Sequence, residues 1–438
     1  MLRMMRSSKL CRTCNRSLLI TLVIFLTLFK AAVVAQDAAT NNARSSINLA
    51  VFDDAWETVR ARYYDQSFHG MDWETARAQF RPRAAAARTQ LELYGVLRRM
   101  IGSLHDAHTR IYAPDETFNW QHPSAISVGI TVREVENLPI IIAVERDSEA
   151  ERAGLRAGDL LVSIDDEPAF QVLTRRLGEQ VGSSTVAAAR LRAVGSLFNG
   201  ERDSIVKVVW QRSADGAQRT AQLQRRWRER SVKLRIRRLA RGYAAIDFDA
   251  FTHTVALDLT RALGDALRRV RGLVIDLRNN GGGDAQAMAE VASIFLPVGY
   301  DLGYFTDRYG NMAFASQTYA SVLYAADSTN RFNAPLVILT SEKTSSAAEI
   351  FVRALRDAGR ATVIGTDTCG CVLAVRRPHV LPDGGELMIS EMDYHTSRGV
   401  RLEGMGIAPD EYVTLTRADL LARRDRALES ALERLRQK

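Results

Sequence analysis

The second half of the sequence alternates short apolar runs with stretches of helical spacing, and this alternation leaves few possible folds. The apolar runs are YAAIDF, GLVIDL, PLVILT and ATVIGT, and helical spacing lies between them over Val255 to Val270, Ala285 to Phe295 and Ala347 to Ala358. Strands and helices that alternate in this way form an α/β sheet. The sequence therefore predicts an α/β core with a mostly parallel sheet over residues 229–438, with sites beyond the carboxyl ends of the strands.

Two smaller domains are expected before this core. Between residues 45 and 118, apolar residues at helical spacing predict a helical N-terminal domain. From 120 to 228 the pattern changes to β-rich runs, interrupted by VGSSTVAAARLRAVGSLFNG, which predicts a helical insertion before the last strand. At the other end of the chain, a last helix is expected to begin at Thr416, with Asp419 three residues on completing its cap. The fold class is thus multidomain α/β.

The first 35 residues have the order of an export signal. Basic residues precede an apolar run from Leu18 to Phe29, and the small residues AAVVA follow. This order predicts a secretory signal peptide that is cleaved after Ala35. The run is shorter than the roughly 20 residues that span a bilayer, and an uncleaved anchor is the alternative. We expect a periplasmic or extracellular protein with no membrane span after cleavage.

The net charge of +8 gives little support to nucleic-acid binding. Six basic residues and no acidic residue lie in the signal segment, so cleavage removes most of the excess. The remaining basic run, residues 225–238, alternates apolar and basic residues as expected for one strand with one solvated face. We therefore expect no nucleic-acid partner.

Of the four cysteines, only Cys369 and Cys371 lie outside the signal segment. Two cysteines do not make a disulfide framework, and the TCGC stretch leaves open a strained, reducible bridge or two thiols. A metal site would need further ligands that the sequence does not place nearby. The sequence also lacks a phosphate loop and a dinucleotide fingerprint, so we expect no metal and no cofactor.

Two segments follow neighbouring strands of the predicted sheet and together suggest a hydrolytic site. One is DLRNNGGGD, Asp276 to Asp284, and the other is TSEKTSSAAE, which leads into a helix. A serine becomes a nucleophile only when a base removes its proton and preorganised donors stabilise the resulting anion. Ser346 stands at the start of the helix, where unpaired N–H groups favour negative charge. A glycine run allows backbone N–H groups to approach a substrate carbonyl.

The chain resembles the C-terminal-processing, or tail-specific, serine peptidases over nearly its whole exported length. The resemblance rests on LHDAHT, on the AGL and AGD turns of a bacterial PDZ domain, on DLRNNGGG, on SSAAEI and on EGMGIAPD. It implies a serine endopeptidase in which Ser346 is the nucleophile, with Ser345 as the alternative if the register slips. It also implies oxyanion donors on the backbone of Gly282, Gly283 and Ala347.

The base of the reaction divides this family into two branches. In one branch a lysine follows the serine by twenty-five residues, but Cys371 occupies that position here. The tricorn-like branch uses a histidine before the PDZ domain and an orienting glutamate near the C-terminus. That resemblance implies His108 as the base and Glu403 as the orienting carboxylate. His105 is the rival histidine.

The PDZ resemblance also implies a mode of substrate recognition. The stretch SVGI, residues Ser127, Val128, Gly129 and Ile130, lies where the family has its carboxylate-binding loop. Backbone N–H groups in such a loop hold a peptide's terminal carboxylate while the peptide pairs with the sheet edge. We therefore expect protein or peptide partners with free C-termini.

Two other functions remain as alternatives. The missing lysine is compatible with a catalytically silent scaffold that binds peptide tails through the PDZ domain. A thiol enzyme that uses Cys371 is the second alternative.

Overall fold

The computed structural model describes residues 41–116, 124–179, 183–212, 216–229, 232–264, 267, 269–320 and 332–437. The signal segment expected at residues 1–35 lies outside these ranges. Within them, no helix combines the length and the apolar character that crossing a membrane requires.

The N-terminal region consists of three helices and a short strand: α1 (residues 41–62), α2 (Trp73–Ala86), α3 (Gln90–Gly102) and β1 (Arg110–Tyr112). Side-chain caps begin α2 and α3, since Asp72 accepts the N–H of Glu74 and Thr89 accepts that of Glu92. The buried faces of these helices pack against Leu387 and other apolar residues from the second half of the chain. The helical region therefore shares a hydrophobic core with the peptidase core.

The second region is an antiparallel β-rich unit. Its strands are β2 (Ser124–Ser127), β3 (Ile130–Val135), β4 (Leu138–Val144), β5 (Leu160–Ile164), β6 (Glu167–Pro168), β7 (Ile205–Gln211), β8 (Gln218–Gln224) and β9 (Arg226–Glu229). Its helices are α4 (Glu149–Arg152), α5 (Ala169–Glu179) and α6 (Val186–Gly195). The sheet order is β3-β4-β5-β7-β8, with β6 on β5, and β2 pairs with β9. The helix α6 lies in the segment predicted as an insertion.

The third region is built on a six-stranded sheet. Its strands before the nucleophile helix are β10 (Arg235–Arg238), β11 (Tyr243–Asp247), β12 (Gly272–Asp276), β13 (Asp301–Thr306), β14 (Met312–Gln317) and β15 (Leu336–Thr340). The later strands are β16 (Thr362–Gly365), β17 (Ala374–Val375), β18 (His379–Val380), β19 (Glu386–Met388), β20 (Ser390–His395) and β21 (Glu411–Tyr412). The helices are α7 (His253–Gly264), α8 (Ala285–Phe295), α9 (Ala347–Asp357), α10 (Arg417–Leu421) and α11 (Arg426–Arg436).

The six-stranded sheet has the order β10-β11-β12-β15-β16-β21, and all of its pairs are parallel except β10 with β11. Alternate residues of each strand face opposite sides, so Ile275 packs with α7, α8 and α9, and Val274 packs with α11. Burial on both faces explains the continuous apolar runs of the sequence. The mixed α/β fold with a mostly parallel core sheet is confirmed.

The basic run of residues 225–238 differs from its prediction. It contains two strands, β9 and β10, and residues 230–231 between them lie outside the described ranges. All four residues of β10 are exposed, and this strand forms one edge of the core sheet. The prediction of one continuous strand is therefore wrong, although Val232 and Leu234 pack against the core as the alternating pattern predicts.

Candidate active site

Ser346 lies at the turn between β15 and α9, in a backbone conformation that L-residues rarely adopt. Its φ is 57° and its ψ is −127°. Its N–H points to two acceptors, the carbonyl oxygen of Cys371 at 2.8 Å and Oε2 of Glu349 at 3.1 Å. Strained conformations of this kind persist only where the surroundings hold them, and they concentrate at functional sites. The sequence predicted the position of this serine but not its strained backbone.

Glu349 holds the Cys371 loop against this turn. Its side chain is fully buried, and its carboxylate accepts hydrogen bonds from the hydroxyl of Thr368 and from the N–H groups of Gly370 at 2.8 Å and Cys371 at 2.9 Å. Burial raises the pKa of Glu349, and these donors oppose the rise because they favour the ionised form. The carboxylate thus joins the nucleophile turn to the loop at which the family's lysine is missing.

The glycine loop after β12 packs directly against Ser346. Gly282 has a φ of +96°, and a Cβ added to it would lie 2.6 Å from Cβ of Ser346 and 3.1 Å from the nitrogen of Ala347. Gly283 bridges to Phe251, with a φ of +131° and with its own Cβ position 2.4 Å from the carbonyl oxygen of Phe251. Only glycine allows both close approaches.

The three predicted oxyanion donors differ in their hydrogen bonding. The N–H of Gly282 donates to Oδ1 of Asn280 at 2.9 Å. Within the described residues, the N–H groups of Gly283 and Ala347 have no acceptor. The N–H groups of Gly283 and Ala347, which have no acceptor among the described residues, therefore lie beside Ser346. At this place they would stabilise the oxyanion of a substrate.

His108 lies in the loop between α3 and β1, and Asp106 organises this loop. The Asp106 carboxylate accepts the N–H of His108 at 2.7 Å and both the N–H and the hydroxyl of Thr109. Burial lowers the pKa of His108 to about 4, with Arg110 and Arg192 lowering it further and Asp106 opposing them. The imidazole is therefore neutral at neutral pH. Its Nδ1 is buried and has no hydrogen-bond partner among the described residues.

Glu403 lies on the other side of the Cys371 loop. Its carboxylate accepts the N–H groups of Val372 at 2.6 Å and Leu373 at 3.2 Å. Burial raises the pKa of Glu403 to about 7, and the negative charges of Asp106 and Glu349 contribute to the rise.

The segment 369–373 brings the three predicted catalytic residues into one region. Ala107, which precedes His108, packs in a small cluster with Cys369 and Cys371. Ser346 donates its N–H to Cys371, and Glu403 accepts from the next two residues. In the described part of the chain, no hydrogen bond joins Ser346 to His108 or His108 to Glu403. Catalytic hydrogen bonds often tighten only in the substrate complex.

The residues that compete with His108 and Ser346 for their catalytic roles are His105, Ser345 and Cys371, and their surroundings differ from those of His108 and Ser346. His105 is exposed and has a φ of 51°. Ser345 donates its N–H to the carbonyl oxygen of Asn280 at 3.2 Å. Cys369 and Cys371 form a disulfide and are both buried, so Cys371 is not a free thiol in this structure.

The predicted carboxylate-binding loop joins β2 to β3. Within it, the N–H of Gly129 donates to Oγ of Ser127 at 3.0 Å, and the hydroxyl of Ser127 donates to the carboxylate of Glu145 at 2.6 Å. The strand β3 is an edge of its sheet, and α6 packs beside it. A peptide that adds to this sheet would pair with β3.

Comparison with known proteins assigns each region of the chain. Residues 49–102 match the Tricorn protease C1 domain, residues 140–177 match a PDZ domain and residues 242–413 match peptidase family S41. With the serine turn and the glycine loop, these matches identify a serine-type peptidase. Residues 242–413 therefore belong to peptidase family S41, and the matches to the Tricorn C1 and PDZ domains precede them in the chain. The resemblance to the C-terminal-processing peptidases is confirmed.

Relatives that align over most of the chain support this assignment. The chain is 29% identical to the carboxyl-terminal-processing protease of Picosynechococcus sp. over 370 residues, which are 82% of this chain and 81% of the relative. It is 26% identical to the chloroplastic carboxyl-terminal-processing peptidase 1 of Arabidopsis thaliana over 374 residues, 83% of this chain and 71% of the relative.

Solved structures show the same fold. The photosystem II D1 C-terminal processing protease aligns with a TM-score of 0.55 at 25% identity, over 84% of this chain and 93% of that chain. Mature CPAF complexed with lactacystin aligns with a TM-score of 0.68 at 13% identity, over 90% of this chain and 98% of that chain.

Proposed function

We propose that this chain is an exported endopeptidase that cleaves protein or peptide substrates held by their free C-terminal tails. Ser346 is the nucleophile and His108 the general base. The observation that carries the proposal is the strained turn of Ser346, which packs against Gly282 next to two N–H groups without an acceptor among the described residues. The family match supports the reaction class.

The reaction proceeds by acyl transfer. Oγ of Ser346 attacks the scissile carbonyl carbon while His108 takes the hydroxyl proton. The N–H groups of Gly283 and Ala347 stabilise the oxyanion of the tetrahedral intermediate. His108 then returns the proton to the leaving amine, and a water molecule hydrolyses the acyl-enzyme through the same groups.

The local charges suit this division of roles. A pKa of about 4 keeps the imidazole of His108 neutral, so it can accept a proton at pH 7. The imidazolium that forms during the reaction is buried, and burial disfavours it unless a carboxylate compensates. Glu403, whose pKa is raised to about 7, supplies this carboxylate. Substrate binding brings the Glu403 carboxylate to Nδ1 of His108, either in direct contact or through one hydrogen-bonding group between them.

Two further parts of the proposal concern substrates and location. The PDZ domain match and the position of residues 127–130 support recognition of a terminal carboxylate. The order of basic, apolar and small residues in the first 35 positions supports export. N-terminal sequencing of the native protein tests export: a mature chain that begins at or near Gln36 is expected, and an intact Met1 on a cytoplasmic protein would contradict it.

Variants of Ser346 and His108 test the mechanism on a denatured protein substrate with a free C-terminus. Ser346→Ala and His108→Ala should each remove most of kcat, and the double variant should lose little more because nucleophile and base act as a unit. Ser345→Ala is the matched control and should keep its activity. Activity that survives in Ser346→Ala but is lost in Ser345→Ala would move the nucleophile by one residue.

A catalytically silent peptide-binding scaffold is the second candidate. The absence of a hydrogen bond between Ser346 and His108 in the described residues and the missing lysine favour it. No cleavage of any protein substrate by the wild-type chain, together with tight binding of free C-terminal peptides, would support this candidate over the peptidase.

A further inference from the structure

One face of the helix α6 in the PDZ region reaches the proposed active site. Thr185 caps α6, and Ala188 and Arg192 follow it at helical spacing, so the three residues share this face. The hydroxyl of Thr185 donates to the carbonyl oxygen of Cys369 at 2.8 Å, and Ala188 packs with Ala107 and the disulfide. Nη2 of Arg192 donates to the carbonyl oxygen of Ala107 at 3.0 Å. The PDZ region thus places a positive charge beside the peptidase site.

A second arginine donates to the same carbonyl oxygen. Nε of Arg110, on β1, lies 2.8 Å from the oxygen of Ala107. This carbonyl belongs to the peptide bond that joins Ala107 to His108. Two guanidinium groups, one from the N-terminal region and one from the PDZ region, therefore converge on the peptide group that precedes the proposed base.

The two arginines are brought together without a carboxylate partner. Among the described residues, no carboxylate forms an ion pair with Arg110 or Arg192. The oxygens of Asp106 accept hydrogen bonds from the two residues that follow it in its own loop. Burial lowers the pKa of Arg192 to about 10, with Arg110 lowering it further and Asp106 opposing them. Two neighbouring cations of this kind repel each other, and a bound anion would stabilise both.

Both side chains keep donors that a ligand can use. Arginine has five N–H donors in a planar fork that matches the two oxygens of a carboxylate. The hydrogen bonds to the carbonyl use Nε of Arg110 and Nη2 of Arg192, which leaves the other N–H groups of both. Arg110 is exposed, and none of the remaining nitrogens of Arg192 is buried without a partner in the described structure. A carboxylate can therefore reach the pair from solvent.

We propose that Arg110 and Arg192 form a carboxylate subsite beside His108, which binds an Asp or Glu side chain of the substrate next to the scissile bond. This proposal rests on the proposed function, in which the scissile bond lies at Ser346 and His108. In that function the terminal carboxylate of the substrate binds to residues 127–130. The carboxylate at the arginine pair is therefore that of a side chain, and it gives the peptidase a preference for acidic residues.

The helix α6 also offers a matched control. Arg190 lies two residues before Arg192 and donates to Oε1 of Glu134 at 2.8 Å. Arg190→Ala removes the same charged group from the same helix without changing the arginine pair. Arg192→Ala also removes a bond that holds the His108 loop, so the rate alone would not separate recognition from structure. The ratio of rates for matched acidic and neutral substrates separates them, because a displaced loop lowers both rates equally.

The experiment uses pairs of peptides that differ only in one Glu or Gln, placed in turn at each internal position. Every peptide has a free C-terminus, and an amidated copy of each pair tests the contribution of the terminal carboxylate. The full chain supplies kcat/KM, and fluorescence anisotropy with the Ser346→Ala variant supplies affinities without turnover. At one or more positions the Glu peptide should be favoured over its Gln partner by about 10-fold, as expected for hydrogen bonds to a charged group.

The arginine variants, made in the full chain and in the Ser346→Ala background, decide whether the pair causes this preference. Arg192→Ala and Arg110→Ala should each remove most of it, Arg190→Ala should keep it, and Arg192→Glu should reverse it. Equal values for Glu and Gln peptides at every position would overturn the inference, as would a preference that survives in Arg192→Ala. A preference for acid over amide ends that depends on Arg192, without one for Glu over Gln, would also overturn it. No turnover of any peptide by the wild-type chain would refute the proposed function, and the anisotropy measurements would still decide whether the subsite exists.

Discussion

Substitution of Gly282 by alanine should disable the site by steric effects alone. The added Cβ would lie 2.6 Å from Cβ of Ser346 and 2.8 Å from the carbonyl oxygen of Ser345, at a φ of +96°. The positive φ costs an L-residue about 1–2 kcal/mol, and overpacking adds about 1–3 kcal/mol. We expect the free energy of unfolding to fall by about 2–5 kcal/mol. The serine turn must also move, and a shift of about 1 Å should lower kcat/KM by about 100-fold.

Gly281→Ala is the control for this prediction. The nearest atom to its added Cβ is Oγ of Ser345 at 4.0 Å, and its backbone is outside the positive-φ region. Activity should stay within about twofold of the wild type, as for a substitution that breaks no specific contact. The assays are kcat/KM on a fluorogenic peptide with a free C-terminus and urea unfolding followed by circular dichroism. Equal losses in the two variants, or full activity in Gly282→Ala, would refute the packing of Gly282 against the nucleophile.

Three further predictions concern pH, thiol chemistry and substrate tails. Because the pKa of Glu403 is raised to about 7 and that of His108 is lowered to about 4, kcat/KM should rise through pH 7 as Glu403 ionises, with His108 already neutral. Glu403→Gln should remove the rise near pH 7 and leave only a rise near pH 4, where His108 loses its proton. A rise near pH 7 that persists in Glu403→Gln would contradict its assignment to Glu403. Iodoacetamide without a reductant should leave turnover unchanged, since Cys369 and Cys371 are disulfide-bonded, and inactivation would favour a thiol enzyme. Amidation of a peptide's C-terminus should weaken its binding in calorimetry, and equal affinities for acid and amide would count against carboxylate recognition.

Local sequence patterns predicted the elements of the core well. The helix α8 has the predicted bounds of Ala285–Phe295, and α9 ends one residue before the predicted end. The helix α10 begins at the predicted cap, where Thr416 and Asp419 bond to each other's backbone, but it ends at Leu421 and a second helix, α11, closes the chain, so the prediction of a single final helix is wrong. Apolar spacing and capping depend on residues within one or two turns, so they can be read from the sequence.

Features that depend on distant residues could not be predicted in this way. The strand β1 pairs with β19 and so fixes the His108 loop to the core, and Ser184 reaches Ala107 across 77 positions of sequence. The sequence predicted Gly282 as an oxyanion donor, but nothing in its pattern indicated that Asn280 takes the N–H of this residue. Such contacts follow from the packing of domains rather than from local spacing.

Active-site labelling tests the central claim most directly, because a fluorophosphonate reacts only with a serine that a base has activated. The full chain is treated with the probe, digested and mapped by mass spectrometry. We predict one labelled residue, Ser346, no labelling in Ser346→Ala and slow labelling in His108→Ala. Labelling of Ser345 instead, no labelling of the wild-type chain, or an unchanged rate in His108→Ala would contradict a Ser346 nucleophile activated by His108.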